Sequence, residues 1–143
     1  MGDTLLDQIG AFQQACRSRN LRVTPQRLEI FSELARATDH PTVEKLHQRL
    51  LQRMPTLSLD TVYRTLATFV DLGLVNKVET VENQAHFEAF VRQHHHLICE
   101  KCGIIIDFDW PLIDQAELPE AAREAGDFER KSLIAYGTCR HCL

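Results

Sequence analysis

Apolar residues follow two regimes along this chain. Up to about residue 72 they recur every three or four positions, and beyond it they gather in short runs. Leu5, Leu6, Ile9, Phe12 and Cys16 form one helical stripe, which predicts a first helix over residues 3–18, broken at Asn20-Leu21. Thr24-Pro25 joins a capping hydroxyl to a proline at the first helical position and opens a second helix, whose stripe is Leu28, Phe31, Leu34 and Ala35. After a turn at Thr38-Asp39-His40-Pro41, Thr42 caps a third helix with Val43, Leu46, Leu50 and Leu51 inward. Met54-Pro55-Thr56 breaks the pattern again. Ser58 then caps a fourth helix, with Asp60 near its positive end and Val62, Leu66, Phe69 and Val70 on the buried side. Tyr63, Arg64, Thr65 and Thr68 fall on its other sides, and Gly73 ends it.

The second regime is extended. Leu74–Thr80 and His86–Phe90 flank a polar turn at Glu82-Asn83-Gln84. Helices followed by a hairpin give the layout of a winged helix. Farther on, Ile104–Phe108 is strongly β-prone and Trp110-Pro111 stops it. Pro111–Ala125 reads as a helix with Leu112 and Ile113 inward, interrupted or bent at Pro119, and Ser132–Tyr136 reads as a returning strand. The predicted class is α+β, with a winged helix-turn-helix domain over 1–84, a hinge over 85–92 and a small α/β domain over 93–143. The last piece is short enough to require a metal staple or a partner subunit.

Bulk properties add little until they are divided. The 143 residues are 44% hydrophobic and 25% charged, ordinary for a globular chain. No apolar run approaches the ~20 residues that span a bilayer, and the N-terminus lacks the basic-then-apolar order of a secretion signal. A cytoplasmic location and no membrane partner are the expectations. A net charge of −4 weighs against nucleic-acid binding. Residues 1–84, however, carry ten Lys/Arg and ten Asp/Glu, so the excess lies wholly in the C-terminal part and leaves room for a local basic face in the first.

Four of the five cysteines form two matched pairs, Cys99-x-x-Cys102 and Cys139-x-x-Cys142. Each pair turns two thiolates onto one ion, and two pairs complete a closed tetrahedral S4 site suited to Zn2+. A redox dithiol is the competing reading, although such motifs occur singly at the start of a helix. Cys16 sits in a helical stripe and reads as a small buried apolar residue.

A second cluster combines His94, His96 and Asp107. In an extended segment the two histidines point to one side, and Asp107 interrupts an apolar strand, where a carboxylate requires a partner. Such donors suit Fe2+, Mn2+, Co2+ or Zn2+. A solvated histidine run and a sheet-edge carboxylate account for the same residues equally well. His40 and Glu88 complete the set only if the chain folds back on itself. On the fourth helix, Tyr63 beside Arg64 suits base and phosphate contacts in a DNA groove, and it suits an ordinary solvated face too.

Taken together, these strings resemble the ferric uptake regulator family of bacterial metal-responsive repressors over nearly the full length. The matching segments run from residue 21 to residue 27 (Leu-Arg-Val-Thr-Pro-Gln-Arg), Asp39-His40-Pro41-Thr42, and from 61 to 66 (Thr-Val-Tyr-Arg-Thr-Leu). They continue through His86-Phe87-Glu88, residues 94–103, Asp107-Phe108 and residues 136–142. The resemblance implies a homodimer that binds a double-stranded palindromic operator and is not an enzyme, with no small-molecule substrate. It implies structural Zn2+ at Cys99, Cys102, Cys139 and Cys142, and a regulatory Fe2+ or Mn2+ at His40, Glu88, His94, His96 and Asp107. Tyr63 and Arg64 match recognition-helix contacts, Ser58 a position near backbone or bases, and Arg22 a basic residue reaching the minor groove. A further metal site of many iron-uptake regulators would fall on Gln93, His95, Asp114 and Lys131, where a cation and a poor ligand argue against it. That absence is typical of peroxide-stress regulators, whereas Glu88 is of the iron-uptake type. Iron homeostasis and the peroxide response both remain open, with a zinc-uptake regulator and, from another class, a zinc-dependent hydrolase as alternatives.

Overall fold

Four N-terminal helices begin where polar side chains satisfy their first amides. The computed structural model describes residues 4–89, 93–128 and 130–143 and divides into two units, Met1–Val91 and Arg92–Leu143. In the first unit, helix α1 spans Leu5–Ser18 and opens with a reciprocal capping box between Thr4 and Asp7. Helices α2 (Pro25–Arg36), α3 (Val43–Leu50) and α4 (Leu59–Asp71) are capped by the hydroxyls of Thr24, Thr42 and Ser58. Gly73, at φ 72°, lets the chain turn out of α4 while Leu74 N–H returns to the Phe69 carbonyl.

The apolar stripes meet in one core. Phe12 stacks on Phe31 with ring centroids 4.0 Å apart and meets Phe69 edge-on at 5.1 Å. Cys16, Ile30, Leu46, Leu50, Val62 and Leu66 complete the buried centre. Leu6 is exposed instead of inward, because it lies about 100° around the helix from Leu5, off the Leu5–Ile9–Phe12 line. Strands β1 (Val75–Glu79) and β2 (Ala85–Ala89) form an antiparallel hairpin, with Asn76 opposite Glu88 and Val78 opposite His86. Residues 85–89 pair with β1 over their whole length, as the second extended segment expected from His86 onward requires. Asp3 and Phe90, expected in the first helix and second wing strand, lie outside the described residues.

The second unit is a three-stranded sheet ordered β4-β3-β5, from β3 (His95–Cys99), β4 (Ile105–Phe108) and β5 (Ile134–Gly137). β3 and β4 are antiparallel neighbours. β5 lies parallel to β3, and the connection that brings it back carries α5 (Pro111–Gln115) and α6 (Glu120–Ala125). The helix expected over Pro111–Ala125, interrupted or bent at Pro119, is interrupted: it is two short helices, with Pro119 just before the second. Leu112, expected inward, is 74% exposed. The reason is the scarcity of core: Ile98 and Cys99 are the buried apolar residues among those described in this unit.

Candidate functional site

The Cys99-to-Cys102 turn and the short 3-10 turn Arg140–Cys142 bring the four thiols together, with all sulfurs within 4.8 Å of one another. Cys102 Sγ and Cys139 Sγ are 3.7 Å apart. A tetrahedral zinc with bonds of ~2.3 Å places its sulfurs about 3.8 Å apart, so the spacing fits an S4 ion and is far beyond a disulfide bond. Cys99 Sγ accepts backbone N–H groups from Cys102 at 3.5 Å and Cys139 at 3.3 Å. Those donors lower its pKa to about 6, which favours the thiolate at neutral pH. Cys142 is pushed up to about 12, first by the hydrogen bond with the Cys139 side chain.

The second set of ligand candidates is described within each unit. In the first, the turn before α3 puts His40 in the left-handed region at φ 50°, which costs a residue with a Cβ about 1–2 kcal/mol. His40 Nε2 lies 3.0 Å from Glu88 Oε2; the His40 side chain is buried and that of Glu88 is partly buried. Asn76, facing Glu88 across the hairpin, donates to its other carboxylate oxygen at 3.3 Å. The His86 ring donates from Nδ1 to the His40 carbonyl at 2.7 Å, and Phe87 N–H donates to the Pro41 carbonyl at 3.0 Å. On the far side of the turn, Arg49 grips both carboxylate oxygens of Asp39, holding that carboxyl below its usual pKa. In the second unit, His96 is directly opposite Asp107 in the β3–β4 register. Asp107 Oδ1 is 3.5 Å from His96 Nε2 and 3.9 Å from His94 Nε2, with the two imidazole centroids 4.8 Å apart. The predicted cluster of His94, His96 and Asp107 is therefore drawn together, as is the pair His40 and Glu88.

Gln93, His95, Asp114 and Lys131 also converge, but on one another. His95 is fully buried; its Nε2–H donates to Asp114 at 2.7 Å, and its Nδ1 accepts Leu133 N–H at 3.0 Å. Lys131 Nζ donates to the Asp114 and Ala116 carbonyls, and the Gln93 amide donates to the Lys131 carbonyl. Both imidazole nitrogens of His95 are committed to protein partners.

Along α4, Leu59, Asp60, Tyr63 and Arg64 form a continuous exposed strip. Arg64 Nε pairs with Asp60 Oδ2 at 2.9 Å, one helical turn away. Ser58 is exposed, but its hydroxyl is occupied as the cap of Thr61 N–H, at 3.1 Å. Arg22 is exposed, and its carbonyl accepts from Arg27. Sequence reasoning did not single out His86, Asn76 or Arg49, nor the pairing of Asp60 with Arg64. The i,i+2 spacing of His86 and Glu88 and the i,i+4 spacing of Asp60 and Arg64 are the signals that carried them.

A family model described as the ferric uptake regulator family matches residues 18–135. The chain belongs to this family. It is 34% identical over 128 residues to the peroxide-responsive repressor of Staphylococcus epidermidis, a match covering 88% of this chain and 84% of that one. Among solved structures, the Vibrio cholerae ferric uptake regulator matches with a TM-score of 0.67 and 32% identity, covering 89% of this chain and 98% of the other. The Helicobacter pylori ferric uptake regulator superposes with a TM-score of 0.78 over 99% of this chain and 97% of that one; at 23% identity it supports the fold alone. Ferric uptake regulator proteins are metal-responsive transcriptional regulators that bind DNA as dimers, and not enzymes. The hydrolase reading of the histidine cluster therefore falls. Among the described residues of this regulator, no helix is long and apolar enough to cross a membrane.

Proposed function

We propose that this regulator is a homodimeric repressor whose binding to a palindromic operator is switched on by Fe2+ or Mn2+. His40, Glu88, His94, His96 and Asp107 would form one ligand set for that ion, and Cys99, Cys102, Cys139 and Cys142 would hold Zn2+ as a permanent staple. The observation that carries the reading is the pairing of ligands inside each unit: His40 with Glu88, and His94 and His96 with Asp107. Nitrogen and carboxylate donors without thiolate suit Fe2+ and Mn2+, whereas the all-sulfur site suits zinc. A divalent ion supplies a charge that both halves of the ligand set need, so it favours whichever arrangement of the units lets all five residues reach it. The first unit would read DNA through Tyr63 and Arg64 on α4, aided by Ser58 and Arg22, and the second would dimerise. Gln93, His95, Asp114 and Lys131 would form a metal-free polar brace.

Fluorescence anisotropy on an operator fragment, with the zinc-loaded protein titrated by Mn2+, tests this. His96→Ala should abolish the Mn2+ dependence of DNA binding while leaving one zinc per chain and the dimer intact. Loss of zinc or of the fold in that variant would make the cluster structural instead.

Peroxide is the favoured signal, because curated relatives at 32–34% identity are peroxide-responsive repressors. Mass spectrometry of the Fe2+-loaded protein after mild peroxide should find one added oxygen on His40 or His94. An unmodified protein would favour sensing of the metal itself.

A further inference from the structure

We infer that His86 is a positioning residue for the regulatory ligand set: its Nδ1–H holds the His40 carbonyl and so fixes the turn that presents the His40 ring to Glu88. The inference rests on the proposed role of His40 and Glu88 as ligands.

Alternate residues of a strand share a face, so His86 and Glu88 both project from β2 on the side opposite the buried Phe87. One reaches the main chain of His40 and the other its imidazole, at 2.7 Å and 3.0 Å. A carbonyl only accepts, so the His86 proton is on Nδ1. The next residue of each segment adds a main-chain bond, from Phe87 N–H to the Pro41 carbonyl. The turn is thus laid along the free edge of β2 like a short extra strand, with the His86 ring supplying the bond that the backbone there does not. His40 has the left-handed φ that a residue with a Cβ avoids unless its surroundings impose it. Without the His86 bond, the peptide after His40 loses the hydrogen bond to its carbonyl that fixes its plane, and the registration of the imidazole on Glu88 loosens. Asn76 fixes the other partner by holding Glu88 Oε1, which leaves Oε2 toward His40. Together these contacts set the two ligands in place before an ion arrives, and ordering done in advance need not be done on binding. Outer contacts of this kind typically change metal affinity by about 10–100-fold.

The test compares full-length, zinc-loaded dimers by the electron paramagnetic resonance signal of free Mn2+, which reports affinity without DNA. His86→Ala should weaken Mn2+ binding by about 10–100-fold. His86→Asn should restore it, because the Asn Nδ2–H2 group sits where His Nδ1–H sits, two bonds beyond Cβ. Circular dichroism and zinc content should match wild type in the Asn variant. Unchanged affinity in His86→Ala would overturn the inference, and so would equal losses in the Ala and Asn variants. His40→Ala separates the two levels. If it abolishes Mn2+ binding while His86→Ala leaves the affinity unchanged, the ligand assignment stands and the positioning role falls. If His40→Ala binds Mn2+ normally, the ligand assignment fails and this inference fails with it.

Discussion

Asp60 places a negative charge on the face of α4 proposed to meet a polyanion, which on Coulombic grounds weakens DNA binding. Its salt bridge engages Arg64 through Nε, leaving both terminal nitrogens able to grip a guanine edge. In water an exposed pair of this kind contributes little to stability, so its effect belongs to recognition. Arg64→Ala should weaken operator binding by about 1–3 kcal/mol and relax preference at one base pair of each half-site. Asp60→Ala should relax the same base pair while leaving affinity for random DNA equal or higher. Binding to a randomised operator library reads both effects, and an unaltered preference in Arg64→Ala would remove α4 from the recognition role. A second residue-scale expectation concerns protons. Zinc binds thiolates, and Cys99, with a pKa of about 6, is already ionised at pH 7.5. Its depressed value means that this ligand stays charged above about pH 6 and competes with protons below it. Zinc added to apo-protein at pH 7.5 should release fewer than four protons per chain in a pH-stat. Release of all four would show Cys99 to be neutral.

At the level of elements, the caps make a quantitative claim. Ser58→Ala removes the oxygen that receives Thr61 N–H and should cost about 1 kcal/mol in urea unfolding. The size of any DNA-binding defect beyond that loss measures what Ser58 contributes outside capping. These caps, and the stripes they begin, were legible in the sequence because helix starts and helical faces are written in residues a few positions apart. The gathering of the four thiols was legible for the same reason, each pair being a local turn. What escaped was set by tertiary partners. β3 carried no clear strand signal, since His95 and His96 open it and hydropathy treats histidine as a surface residue. His95 is buried because Asp114 and Leu133 satisfy both ring nitrogens. The contact of Asn76 with Glu88 escaped because it depends on the register of the hairpin, which spacing along the chain does not give. Leu112 was placed inward by helical spacing alone, which presumes a core that the small unit does not possess.

That missing core bears on the whole molecule. The first unit encloses a continuous apolar cluster, whereas the second leaves Leu97, Ile106, Trp110, Ile134 and Tyr136 exposed. A three-stranded sheet with this much uncovered apolar surface is not stable in water by burial alone. The proposed zinc at the four-cysteine cluster would tie one end of the sheet, because Cys99 ends β3 and Cys139 follows β5 by two residues. Because regulators of this family bind DNA as dimers, a second copy is the proposed cover for the remaining surface. β5 is an edge strand, exposed at all four residues, and an exposed edge invites pairing. Tyr136 is the residue to change: it is 55% exposed on that strand and lies opposite Ile98, one row along from His96 and Asp107. Tyr136→Asp should move the protein from dimer toward monomer in sedimentation equilibrium. In a twofold interface the substitution acts twice, so even about 1 kcal/mol per copy raises the dimer dissociation constant about thirtyfold. Zinc content should hold, since the sulfurs are untouched. Operator affinity should fall further than affinity for a single half-site, because only a dimer spans both. A Tyr136→Asp protein that remains fully dimeric at low micromolar concentration would place the interface on another part of the sheet.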